Sequence, residues 1–249
     1  MAGVSETAES VTGRRLGGRL RAALKLLPSP RTTPFTFWYL IVLLATTMVL
    51  EYGPPTAVDR LLDASSTDAV NLQQHPLRVL FLSALWLQDM QWIAYAVIFT
   101  AVLAPLERRI GTRSTVLVFA SGHVLATLAT ELPVLWAVHF HLLPKVDGHL
   151  IDVGVSYGFL AAAGAMLLML PTPVRWWAFG ALNTAIAVLY LGTDPASTGA
   201  IVTATGHLLS AYIGMLGWLP WLRRRALVGS LRLPSRRPTA PGGQFITPS

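Results

Sequence analysis

The sequence predicts an all-α, polytopic membrane protein built as a bundle of six transmembrane helices. Composition is the first reason. Of 249 residues, 53% are hydrophobic and only 12% are charged, whereas a soluble domain carries about 25% charged residues. Patterning is the second: mean hydropathy is +0.54, and the apolar residues fall in runs near the ~20 residues that cross a bilayer. Charge distribution is the third, because the basic residues segregate to one side of those runs.

The runs are Phe35–Tyr52, Leu87–Leu106, Ser114–Val134, Leu150–Leu170, Trp176–Gly192 and Gly199–Leu219. Helices are required, since an open strand edge leaves backbone groups unsatisfied in lipid. The first run follows a long charged segment, so it reads as a retained span rather than a signal peptide. Residues 1–34 form a basic tail, residues 35–221 the membrane domain, and residues 222–249 a second basic tail expected to be disordered.

An even number of spans puts both ends on one side. With these boundaries, sixteen of the nineteen Lys and Arg residues share that side, and Arg60, Arg78 and Lys145 lie opposite. The positive-inside rule then places both termini in the cytosol of a multi-pass protein, with the cell membrane as the expected site. Trp38, Tyr39, Trp176, Trp177, Trp218 and Trp221 fall at the cytosolic ends, where aromatic belts form.

The net charge of +7 does not indicate nucleic acid, because the basic residues occupy tails and short loops. They suit anionic lipid instead. Leu16, Leu20, Leu24 and Leu27 recur at helical spacing among Arg and Lys, a pattern that lies on a membrane surface as readily as it stays disordered. Cysteine is absent, which excludes thiol chemistry. In the long first external loop, Val79–Leu87 is apolar but too short to span, as in a re-entrant or interfacial element.

Polar groups inside spans are costly and mark function. The fourth span contains Gly154-Val155-Ser156-Tyr157-Gly158, and the sixth contains Gly206-His207-Leu208-Leu209-Ser210. Measured from the outer ends of their spans, Ser156 lies about 9 Å and His207 about 12 Å down a helix axis. Ser156 shares a face with Leu160, Ala163 and Gly164, and His207 with Ser210, Ala211 and Gly214. Small residues at that spacing let two helices approach closely in lipid. A serine hydroxyl becomes a nucleophile when an adjacent imidazole takes its proton, at about 2.6–3.2 Å or somewhat looser without substrate. His123, mid-way along the third span, is expected to make a packing hydrogen bond. His139, His141, His149 and Asp147 are too irregularly spaced for a metal site.

Taken in order, these motifs resemble those of the rhomboid intramembrane proteases. Gly154-Val155-Ser156 is similar to the start of the family's GxSG motif. Gly206-His207, followed by Ser210 and Gly214, is similar to its sixth-helix segment. Glu107-Arg108-Arg109-Ile110-Gly111 is similar to its ExRxG motif, and Arg78 falls where the first-loop Trp-Arg pair has its arginine. The resemblance covers roughly residues 78–219.

It implies a six-helix rhomboid-like fold, a Ser156–His207 dyad, membrane-protein substrates and no cofactor. It also exposes departures. Tyr157 replaces the glycine after the nucleophile, and Leu77 replaces the Trp. Gln91 and Tyr95 stand where the family has its oxyanion-binding HxxxN pair, and Trp86 replaces an earlier loop histidine. Gln91, Tyr95 and the backbone at Gly154 and Ser156 are therefore the candidate oxyanion residues. The competing expectation is a rhomboid-like pseudoprotease that binds membrane-protein clients without cutting them. A transporter is disfavoured, because no internal repeat is present.

Overall fold

The computed structural model describes residues 26–87, 91–145, 148 and 154–231. Among these residues the structure is helical, with no strand. Helices α1 (Pro34–Tyr52), α5 (Trp92–Ile110), α6 (Thr112–His139), α7 (Ser156–Met169), α8 (Thr172–Leu191) and α9 (Thr198–Tyr212) form the bundle. Between α1 and α5 lie three short helices: α2 (Pro55–Ser65), α3 (Ala69–Gln74) and α4 (Pro76–Leu82). A 3₁₀ turn, Ser83–Leu85, follows them. After α9, a π turn (Ile213–Gly217) leads into α10 (Leu219–Arg224).

Among the described residues, four segments are long and apolar enough to cross a membrane: α1, α6, α8 and the continuous run Thr198–Arg224. The protein is therefore an integral membrane protein. Helix α5 is also 19 residues long but ends in Glu107, Arg108 and Arg109. Helix α7 has only 14 residues, 11 of them buried. It needs no full bilayer length because its neighbours, rather than lipid, surround it.

Small side chains create that central position. Between helices in lipid, packing replaces the hydrophobic effect as the attraction, so close approach decides the arrangement. A methyl group added at Gly122 would overlap the Ala161 side chain, one at Gly164 the Ala211 carbonyl, and one at Gly214 the Ala161 carbonyl. Ser210, on α9, donates its hydroxyl hydrogen to the Tyr157 carbonyl on α7. Helices α6, α7 and α9 thus touch backbone to backbone at this seam.

The corner between α5 and α6 explains the Glu107–Gly111 motif. Gly111 has φ +80, a left-handed conformation that ends α5 at little cost for glycine. The buried Glu107 carboxylate accepts hydrogen bonds from Phe35 N at 2.8 Å, Thr36 N at 2.9 Å and Thr36 Oγ1 at 2.7 Å. Thr112 Oγ1 adds another at 2.8 Å. An acid on α5 thereby caps the N-terminus of α1, where both free N–H groups and the helix dipole favour negative charge.

The next two residues gather both ends of the described chain. Arg108 donates to the Leu26 and Leu27 carbonyls at 2.8 and 2.9 Å, and Arg109 donates to Ser230 Oγ at 3.2 Å. The segment after α10 also seals the end of α7. Gly229 N and Leu231 N each donate at 2.8 Å, to the Leu168 and Met169 carbonyls. Residues 222–231, assigned from sequence to the tail, therefore pack on the bundle. Residues 1–25 and 232–249, which hold most of the basic tails, lie outside the described residues.

Other expectations change as well. Tyr39 is buried and donates its hydroxyl hydrogen to the Ala84 carbonyl, so it is a core residue rather than part of an aromatic belt. Trp38, Trp176 and Trp177 are exposed. The segment Val79–Leu87 is wedged against α1 and α6 through Tyr39 and His123, while Leu77 and Phe81 one turn apart on α4 are exposed.

Candidate functional site

Ser156 is the first residue of α7, not a residue about 9 Å down a longer helix as the sequence implied. The reason lies just before it. Gly154 has φ +155, a backbone conformation outside the helical region that side-chain-bearing residues rarely adopt. The chain enters α7 through this kink, and Ser156 sits at the helix N-terminus. There the first N–H groups have no carbonyl one turn back, and the dipole is positive.

The kink is tied to the first loop. Gly154 N donates to the Ser83 carbonyl at 2.9 Å. Ser83 Oγ in turn lies 3.1 Å from His123 Nε2, which is 3.0 Å from the Leu80 carbonyl. A carbonyl only accepts, so His123 Nε2 carries the proton. The packing role expected for His123 is thus given specific partners: it fastens the loop to α6.

His207 lies two-thirds of the way along α9, and its ring meets the Tyr157 ring edge-on, with centroids 5.6 Å apart at 83°. Tyr157 fits because residue 206 is glycine: an added methyl there would overlap the Tyr157 ring. The Tyr157 hydroxyl points to the Val202 carbonyl at 3.5 Å.

Ser156 and His207 wall one cavity of about 500 Å³, together with Gly154, Tyr95 and Trp86. Ile186, Leu189 and Tyr190 of α8 supply another wall. Helix α8 is the least embedded of the long helices, with Ile186 its one buried residue.

Within the cavity wall no hydrogen bond joins Ser156 to His207, and the buried His207 Nε2 has no partner among the described residues. Gln91 stands immediately before α5, is exposed and is not part of the wall. Tyr95 is part of it and packs edge-on against Phe99, with centroids 6.1 Å apart.

His139 and His141 are exposed beyond the cavity, and no cluster of metal-binding side chains occurs among the described residues. Asp147, His149 and Asp152 lie outside the described residues.

A model of a protein family described as rhomboid-like protein matches residues 30–227. The chain belongs to the rhomboid-like family. No curated protein and no solved structure matches it. In this rhomboid-like protein the matched region contains all six bundle helices and every residue named around the cavity.

Sequence reasoning passed over two features of the rhomboid-like site. One is the Tyr157 ring against His207. Its only sequence signal is the pairing of a large residue at 157 with glycine at 206. The other is Trp86. It had been noted as a replacement, but only the packing of the first loop brings it to the cavity.

Proposed function

We propose that this rhomboid-like protein is an intramembrane serine protease that cleaves peptide bonds in or near the transmembrane segments of membrane proteins. The observation that carries the reading is the shared cavity: Ser156, with its hydroxyl at a helix N-terminus, and His207 both line it. The nucleophile–base contact in sites of this kind tightens when substrate binds.

In the proposed reaction, Ser156 Oγ forms a bond to the peptide carbonyl carbon as its proton passes to His207. The carbonyl π electrons move onto oxygen. That charge develops beside the N-terminus of α7, where backbone N–H groups and the helix dipole stabilise it. Collapse breaks the C–N bond, and His207 returns the proton to the leaving amine. Water, activated by His207, then releases the acyl group from Ser156 as a carboxylic acid. Tyr95 is placed to add a phenol donor. Gln91, outside the wall, has no assigned part.

The membrane arrangement proposed with it has both termini in the cytosol, the basic tails against anionic lipid, and the cell membrane as host. The gathering of the Leu26–Leu27 and Ser230 segments at Arg108 and Arg109 supports both ends lying on one side.

A second reading is a pseudoprotease that captures membrane-protein clients. It is favoured by Tyr157 at the glycine position and by the absence of a Ser156–His207 hydrogen bond. A fluorophosphonate probe applied to the purified protein in detergent separates the two. The protease reading expects labelling of the wild type, none of Ser156→Ala, and at least about 100-fold slower labelling of His207→Ala. No labelling, with no cleavage of any model transmembrane substrate in proteoliposomes, would leave the client-binding reading.

A further inference from the structure

The first loop brings to the cavity wall a donor-bearing side chain that the family pattern does not contain. Trp86 is 7% exposed, walls the same cavity as Ser156 and His207, and its buried indole N–H has no acceptor among the described residues. Leaving a buried donor without a partner is costly, because it gives up its hydrogen bond to water and gains none in return. Natural proteins rarely retain such a group without a use for it.

The position of this donor is well determined. Trp86 follows the 3₁₀ turn directly, in extended backbone with φ −116 and ψ 142. The turn itself is held at three points: the Ser83 carbonyl by Gly154 N, the Ser83 hydroxyl by His123, and the Ala84 carbonyl by the Tyr39 hydroxyl. The first of these bonds fixes the turn to the residue two before Ser156. The backbone that leads into Trp86 is thereby registered to the start of α7. Such preorganisation is what makes a donor effective toward developing charge. Meanwhile Gln91, the side-chain amide at the expected donor position, lies outside the cavity wall.

We infer that Trp86 is the side-chain donor to the reacting carbonyl: its indole N–H donates to the substrate peptide oxygen and strengthens that bond as the oxygen becomes an anion. The role rests on the protease reading above and refines it. The indole has no acceptor function and does not titrate in the accessible range, so it serves only as a donor. A small shift of ring or substrate brings the shielded N–H to the carbonyl, and the bond relieves its missing partner.

The test compares wild type, Trp86→Phe and Ser156→Ala in proteoliposomes with one transmembrane peptide substrate. Losing a single oxyanion donor lowers kcat by about 100- to 1000-fold, and a donor used in the transition state leaves KM nearly unchanged. That split is expected for Trp86→Phe. To guard against disturbed packing, Trp86 is also replaced by β-(3-benzothienyl)alanine, which keeps the bicyclic shape and lacks the N–H. The same loss of kcat is expected with wild-type thermal stability. A benzothienyl protein that turns over like wild type overturns the donor role and leaves the protease reading intact. A wild-type protein no more active than Ser156→Ala overturns both.

Discussion

The backbone N–H of Gly154 donates to the Ser83 carbonyl at 2.9 Å, joining the approach to α7 to a loop 71 positions earlier in the chain. The Ser83 hydroxyl continues the connection to His123 on α6. Three elements distant in sequence are thus fixed around Ser156 by two hydrogen bonds and one residue.

His123 therefore supports the site without entering it. Replacing it by Phe removes the donor to the Leu80 carbonyl and leaves the Ser83 hydroxyl without its ring partner. An unsatisfied buried group costs about 1–3 kcal/mol, so the unfolding midpoint in detergent should fall. Fluorophosphonate labelling of Ser156 should slow yet persist. Complete loss of labelling in a folded His123→Phe protein would instead assign the imidazole a chemical role.

The Tyr157 ring and Gly206 should behave as a coupled pair. Gly206→Ala drives a methyl into the ring and should cost about 1–3 kcal/mol. Tyr157→Ala, which vacates the space, should cost about 3–5 kcal/mol. In the Tyr157→Ala background, Gly206→Ala should be nearly neutral, giving a coupling energy of about 1–3 kcal/mol in a double-mutant cycle. The ring also rests on His207. Under the protease reading, restoring the family glycine by Tyr157→Gly should accordingly slow labelling by roughly 10- to 100-fold through misplacement of His207. Faster labelling would show that Tyr157 obstructs the site rather than orders it.

Glu107 should carry stability far more than chemistry. Its carboxylate receives two N–H groups and a hydroxyl from the first turn of α1. Glu107→Ala strands those donors and should cost roughly 3 kcal/mol, while Glu107→Gln keeps an acceptor oxygen and should lose about half as much. Equilibrium unfolding in mixed micelles reads both. Wild-type stability of Glu107→Gln would mean that the carboxylate charge contributes nothing to the cap.

Much of the bundle was legible beforehand because bilayer solvent acts on composition directly. Long apolar runs have to be helices, and α1, α6, α8 and the run through α9 appear close to their expected bounds. The fourth run misled in one respect. Hydropathy carries no signal for the backbone conformation of a single glycine, so the kink at Gly154 is invisible to it and the expected start of α7 falls too early. The Gly164 and Gly214 contacts were anticipated, since their spacing on each helix already implied close approach.

By itself the sequence determined the solvent in which this chain folds, its helical class, and two polar residues, Ser156 and His207, worth placing together. These follow from local rules: residue polarity, run length and helical periodicity. Only the tertiary structure decided that Trp86 rather than Gln91 walls the cavity, that Tyr157 lies against His207, and that His123 holds the first loop. Those outcomes depend on how a loop folds back between helices, a consequence of contacts between residues far apart in the chain that no local pattern encodes.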